Sequence, residues 1–433
     1  MSPLSVQKRS PDSAPEARVG DLLSRARTLL VAGPSPAAVA HVPLPEVRQG
    51  PCHFPLISGE ACSFNPYAWS EYIDPQAGVA RLVLGLGARL QDRSGDDFTR
   101  VVALGAPGRR PETRFAEYAR YAQRRLEVFS EEQGRVESID VADLMKRAPQ
   151  LPWDFLASAD PASDASASPG GRALTFERLL TRTGWARDLQ TILRLLSANV
   201  AAPVAMEFTT DVSGDGAYRI ALTQCRLAVE PPLPTPAVAD VLLAAQGAVV
   251  GRSRRMTLDG LICVVPDRYA QLPPSARYEV ARLIGRLNRV AGEKKYLLLG
   301  PGRWGTTSPE LGVPVTFAEI NHAAALGEIV TMHAGLTPEV SRGVHVFNEL
   351  VAGDLLYLAI FPGKPHNEIA PGYWAAAPNR LAHWLPGAER WREVVRVIEA
   401  RDVAGEGRTL ELYANARTQQ AICAVGRTGS SAE

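Results

Sequence analysis

Ala202-Pro203-Val204-Ala205-Met206-Glu207-Phe208-Thr209, answered by Leu222-Thr223-Gln224-Cys225-Arg226, is the stretch on which the fold turns. The first run is apolar with one acid planted in it and reads as a buried strand. The second reads as a strand carrying a polar Gln and an Arg. Between them lies Asp211-Val212-Ser213-Gly214-Asp215-Gly216, rich in turn formers. Two strands joined by such a loop make a hairpin, which sets Glu207 and Gln224 close together across it. A carboxylate and an amide oxygen suit a hard cation such as Mg²⁺, which takes few protein ligands and completes its shell with phosphate oxygens. The same spacing also describes a surface hairpin with a solvated Glu.

Working outward, residues 174–198 form the clearest helical region, with Leu179, Leu180, Leu189, Ile192, Leu193 and Leu196 on its apolar face. Further upstream, Gly59-Glu60-Ala61-Cys62-Ser63-Phe64-Asn65-Pro66-Tyr67 reads as a strand running into a turn that Pro66 enforces. Gly78 to Gly87 reads as a buried strand ending in Leu84-Gly85-Leu86-Gly87, where glycines let backbone N–H groups approach a ligand or simply form a turn. Val101 to Leu104 is a further strand. Residues 113–133 predict an amphipathic helix from Phe115, Tyr118, Tyr121, Leu126 and Phe129. Residues 1–50, rich in Pro, Ala, Ser and Arg, predict a flexible segment with at most a short helix over Val19–Val31. Asp160 to Gly171 reads as a loop or linker.

Downstream, Glu230-Pro231-Pro232-Leu233-Pro234 is a stiff connector and the expected domain boundary. Beyond it, strands at Leu261–Val265 and Tyr296–Leu299 alternate with a helix over Ala276–Val290, the order of an α/β domain. The strand at Leu299 ends in Gly300-Pro301-Gly302-Arg303-Trp304-Gly305. Open α/β sheets place ligands at such strand ends, and Arg303 would hold a phosphate or carboxylate there. A rigid loop whose Arg pairs with a local acid is the competing reading. A helix is expected around Ile320–Leu326, a strand face bearing His345 in Ser341–Asn348, and a strand over Leu355–Phe361. A Trp-containing helix (Trp384, Trp391, Val394, Val395, Ile398), a strand at Thr409–Tyr413 and a disordered tail from Gly426 complete the pattern.

Composition bounds the function. A net charge of +1 in 433 residues gives no basic field for nucleic acid. Five scattered cysteines without a C-x-x-C pair argue against a disulfide framework and a zinc ribbon. No apolar run approaches the roughly 18 residues needed to span a bilayer. A cytoplasmic protein with no membrane or nucleic-acid partner is the expectation.

Glu207 in Met-Glu-Phe-Thr, followed by Leu-Thr-Gln-Cys-Arg, resembles the end of the ATP-grasp nucleotide-binding domain of pyruvate phosphate dikinase and phosphoenolpyruvate synthase. Gly59–Pro66 looks like that family's Gly-x-x-x-Ser-x-Asn-Pro turn, with Ser63 and Asn65 aligned, and Leu84–Gly87 resembles its Gly-Leu-Gly loop. Gly300–Gly305, Leu311–Val315 and Ser341–Phe347 resemble motifs of a bacterial phosphoenolpyruvate synthase-like subgroup. The resemblance implies ATP and Mg²⁺ as cofactors, metal ligation by Glu207 and Gln224, a catalytic charge from Arg226, and nucleotide or anion contacts from Asn65, Gly85, Gly87 and Arg303. It implies phosphoryl transfer from ATP in complete relatives, hence a dikinase-type phosphotransferase if the chain is active.

There are departures. Leu227 stands where the family has proline. The first half of an ATP-grasp site, with its lysine and arginines, is not recognisable before residue 50. A phosphohistidine domain and a phosphoenolpyruvate/pyruvate barrel are likewise missing. The expected architecture is therefore α/β: a flexible segment 1–50, the carboxyl half of an ATP-grasp-like domain over 51–228, a smaller α/β domain over 235–425, and a tail, 426–433. A partner chain would supply the other half of the site. The alternative is a non-catalytic nucleotide- or anion-binding regulatory module, or a truncated remnant, with Gly300–Gly305 as its main ligand site.

Overall fold

The computed structural model describes residues 4–7, 47–70, 72–87, 97–160, 171–228, 241–331, 346–370 and 376–427. The expected helix at Val19–Val31, most of the 160–171 linker, the 230–234 connector and His345 lie outside these residues. The chain divides into two compact units, Met1–Val229 and Glu230–Glu433. Helices and several sheets are mixed throughout, so the class is α/β. Among the described residues no helix is long and apolar enough to cross a membrane.

The first unit opens with β1 (Leu4–Gln7), β2 (Val47–Gln49), β3 (Cys52–Phe54), β4 (Ile57–Cys62), β5 (Val79–Leu84) and β6 (Arg100–Ala103). Then come α1 (Phe115–Arg120), β7 (Arg125–Ser130), β8 (Arg135–Asp140), α2 (Val141–Arg147), α3 (Trp153–Leu156), β9 (Ala157–Ala159) and β10 (Arg172–Leu174). It closes with α4 (Glu177–Arg182), α5 (Trp185–Val200), β11 (Val204–Val212) and β12 (Tyr218–Leu227). Its main sheet runs β1-β12-β11-β4-β5-β6, all neighbours antiparallel. A smaller sheet runs β2-β3-β7-β8.

Residues on a strand alternate between faces. Val204, Met206, Phe208 and Val212 of β11 join a core with Leu82, Leu84 and Val102 from the sheet and Trp185, Leu189, Leu193 and Leu196 from α5. That helix buries a stripe at spacings of three and four. Trp185 donates its Nε1–H to Thr210 Oγ1 at 3.0 Å, which fixes the helix against β11. Residue Gly59 lies under the Phe208 ring: a Cβ there would meet Cζ at 2.2 Å. The opposite sheet face is left to Glu60, Glu207 and their neighbours.

The second unit contains β13 (Val241–Gln246), β14 (Val249–Val250), β15 (Arg254–Leu258), β16 (Gly260–Val264), α6 (Pro266–Ala270), α7 (Pro274–Ala291) and β17 (Tyr296–Pro301). There follow β18 (Arg303–Trp304), β19 (Gly312–Val313), β20 (Ala325–Ile329), α8 (Phe347–Ala352), β21 (Leu356–Ile360) and β22 (Glu368–Ile369). Last are α9 (Leu381–Trp384), β23 (Val395–Glu399), α10 (Ala400–Ala404), β24 (Arg408–Asn415) and β25 (Gln420–Arg427). A sheet in the order β14-β21-β20-β17-β16-β23 has β16, β17, β20 and β21 parallel at its centre. Leu261, Leu297, Leu299, Leu356 and Leu358 on one face pack with Leu242, Leu410, Leu412 and Cys423 of a second sheet, β15-β24-β25-β13-β22. On the other face Tyr296 donates to Asn288 Oδ1 of α7 at 2.7 Å.

Several sequence expectations are corrected. Only Phe115–Arg120 of the 113–133 stretch is helical, because Leu126 and Val128 enter the core with a strand's period of two. The 174–198 region is interrupted at Thr183–Gly184. Ile320–Leu326 gives way to β20, whose five buried residues lie between parallel neighbours. The Trp-containing helix is instead α9, a 3₁₀ turn at Glu389–Trp391, and β23. Phe347 and Asn348 belong to α8 rather than to a strand. Within residues 1–50, expected to be flexible, β1 pairs with β12 along its outer edge and β2 pairs with β3. Gly426 and Arg427, expected in a disordered tail, extend β25 against β24.

Candidate functional site

Glu207 and Gln224 are direct cross-strand partners. Their meeting depends on an irregularity. Glu207 faces Gln224, but the next residue, Phe208, faces Leu222, so Thr223 is an extra residue in β12. Such a bulge re-aims the side chains beyond it. Ile220, Leu222 and, past the bulge, Cys225 pack toward the core. Gln224 and Arg226 are thereby turned to the face that carries Glu207. Without the bulge, strict alternation from Leu222 would send Gln224 inward.

The sheet extends this row. On the far side of β11, Glu207 is opposite Glu60 of β4, and Glu60 is opposite Arg81 of β5. Opposed residues lie on the same face with Cβ atoms about 5 Å apart. Gln224, Glu207, Glu60 and Arg81 thus form a line across four strands. Arg226 is opposite Ala205, and its Nη2 donates to Glu60 Oε1 at 3.0 Å. The arginine crosses β11 over the small side chain of Ala205. Arg81 donates from Nε to Thr99 Oγ1 at 3.3 Å. Neither the half-buried Glu207 carboxylate nor the exposed Gln224 amide bonds another described side chain. On the same face Thr209, 5% exposed, has a hydroxyl with no hydrogen-bond partner.

Glu60 is the residue that sequence reasoning missed. It sat within a quoted strand as one polar position among apolar ones, a signal easily read as solvent exposure. Among the described residues no three His, Cys, Asp or Glu side chains gather as a metal site. The unbonded donors here are the Glu207 carboxylate and the Gln224 amide oxygen, both hard oxygens. Such a set fits Mg²⁺ held by one or two carboxylates together with ligand phosphates.

The other predicted residues lie elsewhere. Asn65 is 1% exposed and shapes its turn: Oδ1 accepts from Tyr67 N at 2.9 Å and its own N–H reaches Pro75 O at 2.8 Å. Its Nδ2 is buried without a partner. No hydrogen bond joins it to the Glu207 row among the described residues. At the end of β5, Gly85 has a φ of 87° and lies so close to β7 that a Cβ would meet Glu127 O at 2.7 Å. The N–H groups of Gly85 and Leu86 already go to Leu56 O and Glu127 O. Ser58 Oγ donates to Gly85 O at 2.7 Å. Gly87 follows, half-buried. This backbone closes a turn and leaves those two N–H groups committed within the protein.

Arg303 belongs to the second unit, at the carboxyl end of the parallel strands. Its N–H donates to Leu311 O at 2.9 Å and it is half-buried. The glycines around it answer to packing. A Cβ on Gly300 would meet the Trp304 ring at 2.5 Å, and one on Gly302 would meet Leu311 O at 2.2 Å. Trp304 is buried and donates Nε1–H to Gly327 O at 3.0 Å. Beside it the buried Glu328 accepts from Trp304 N at 3.3 Å and Tyr357 Oη at 2.7 Å. A scan against protein-family models finds no match to this chain, and a search of curated proteins finds none.

Proposed function

We propose that the first unit is the carboxyl half of an ATP-grasp-like nucleotide-binding domain and that the Glu207 face is its metal–phosphate edge. One observation supports this above the others: the bulge at Thr223 turns Gln224 and Arg226 onto the face of Glu207. The strand motif that resembles the phosphoenolpyruvate synthase family thereby acquires a reason for its spacing. In this reading Glu207 and Gln224 hold Mg²⁺ through their side-chain oxygens, with ATP phosphates completing the shell. Bound there, the ion neutralises phosphate charge during phosphoryl transfer. Arg226 adds a positive charge beside the phosphates while Glu60 holds its guanidinium. The activity is that of a dikinase-type phosphotransferase, with a partner chain supplying the lysine and arginines of the opposing wall.

Calorimetry of the full chain with Mg-ATP tests the reading. Wild-type protein is expected to bind, and Glu207→Ala to lose at least tenfold in affinity, the scale of about 1.4 kcal/mol. Equal binding by both, or none by the wild type, overturns it. Should binding persist in Glu207→Ala and vanish in Arg303→Ala, the second unit's loop is the ligand site and the regulatory-module reading replaces this one.

A further inference from the structure

We propose that Glu60 is a positioning residue that keeps Arg226 off Glu207, so that the Glu207 carboxylate stays open to a divalent cation. This rests on the metal–phosphate reading of that face. Glu207 and Arg226 occupy adjacent strands, two residues out of register, because Arg226 is opposite Ala205. Diagonal neighbours of this kind lie within reach of long side chains. An arginine beside an unpaired carboxylate would ordinarily close on it. Here it passes over Ala205 and bonds Glu60 at 3.0 Å on the strand beyond.

Glu60 is the more buried partner of that pair, its side chain 16% exposed against 54% for Arg226. It lies between two cations, since Arg81 faces it from β5. The cost of two carboxylates facing one another across β4 and β11 is offset by those arginines. The result is a sorted row. Arg226 is bonded to Glu60, while Glu207 and Gln224 keep oxygen atoms unpaired among the described residues. Thr209 supplies the independent sign of a ligand on this face. Its hydroxyl is buried at 5% exposure, two residues along the strand from Glu207, and has no partner. A buried hydroxyl without a bond costs about 1–3 kcal/mol.

The ligand class follows from the charges. With Arg226 taken up by Glu60, a bare polyphosphate meets the unpaired Glu207 carboxylate and is repelled. Glu207 and Gln224 would hold a divalent cation that a polyphosphate carries. The site therefore selects the metal-bound form.

The test is calorimetry on the full chain with three probes: Mn²⁺ alone, Mg-ATP, and ATP in chelator. Wild type is expected to bind the first two and not the third. In Glu60→Gln, Arg226 is released onto Glu207, and Mn²⁺ affinity is expected to fall at least tenfold. In the double variant Glu60→Gln/Arg226→Gln, Glu207 is open again, and Mn²⁺ affinity is expected to return to within threefold of wild type. That return also excludes misfolding as the cause of the first loss. Wild-type Mn²⁺ affinity in Glu60→Gln, or no recovery in the double variant, overturns the positioning role. Those outcomes leave the functional reading standing if Glu207→Ala still abolishes Mg-ATP binding. No binding of Mn²⁺ or Mg-ATP by wild type overturns both.

Discussion

Arg100, at the start of β6, is opposite Leu82, so its side chain enters the face occupied by the core. Nη1 donates to Val101 O at 2.9 Å, but Nε and Nη2 are closed off from solvent without a partner. Burial pushes this guanidinium down to about 9, and Arg110 beside it acts in the same direction. Glu112 and Glu177 pull the other way. Unbonded buried donors cost about 1–3 kcal/mol, more when charged. Replacing Arg100 by Met keeps the length and removes the donors. Arg100→Met is expected to raise unfolding free energy by about 1–2 kcal/mol at pH 7, read from urea transitions. The sign with pH is fixed. The folded-state value lies below the ordinary arginine value, so the penalty is complete below pH 9 and fades as pH rises through about 9 toward that value. The advantage of Met should shrink accordingly.

At the scale of elements, the bulge in β12 decides what the hairpin can do. Deleting Thr223 would restore strict alternation from Leu222. With the extra residue gone, Gln224 follows Leu222 directly, so Gln224 and Arg226 stay on the face of Glu207 and Cys225 stays in the core. The ΔThr223 chain is therefore expected to change stability by less than about 1 kcal/mol in urea and to keep Mn²⁺ binding. A loss of several kcal/mol would mean that the bulged backbone itself is needed for the packing of the strand. The hairpin itself was legible in the sequence, because an apolar run, a Gly/Asp/Ser turn and a second strand leave few alternatives. Its bulge was not, since Leu-Thr-Gln-Cys-Arg reads as plain alternation. Glu60 was quoted within its strand, yet its contact with Arg226 requires knowing that β4 adjoins β11, a non-local fact. The misread helices share one cause. Aromatic residues at Phe115, Tyr118 and Tyr121 have helical spacing over only six helical residues, Phe115–Arg120, before Leu126 and Val128 set a period of two. Trp384, Trp391 and Ile398 come from three separate short elements. The glycines of the Gly300–Gly305 loop were read for ligand approach, whereas Gly300 and Gly302 make room for Trp304 and Leu311.

For the whole molecule, the cysteines divide between the units and offer a probe of each. All five are free thiols. Cys52, Cys62 and Cys225 belong to the first unit and are half-buried. Cys263 and Cys423 belong to the second and are buried in its core between the two sheets. Burial pushes both of these up to about 12, so almost no thiolate forms at neutral pH. The thiolate is the reacting species. At pH 8 an alkylating reagent is therefore expected to modify Cys52 and Cys62 under native conditions, to modify Cys225 more slowly because burial raises its thiol, and to spare Cys263 and Cys423, as read by peptide mass mapping. With increasing urea, labelling of Cys263 and Cys423 then reports opening of the second unit alone. If their labelling midpoint matches loss of Trp185 fluorescence change in a chain keeping only that tryptophan, the units unfold together. If it differs, they unfold separately and a single unfolding free energy does not describe the chain. The pH response carries its own sign. Both thiols titrate higher folded than unfolded, so the stability they contribute is intact below the ordinary thiol value of 9 and is lost as pH rises from there through about 12. The second unit's labelling midpoint should move to lower urea over that range, and in Cys263→Ala, followed through Cys423, it should move less. An equal shift in that variant would assign the pH response to other groups.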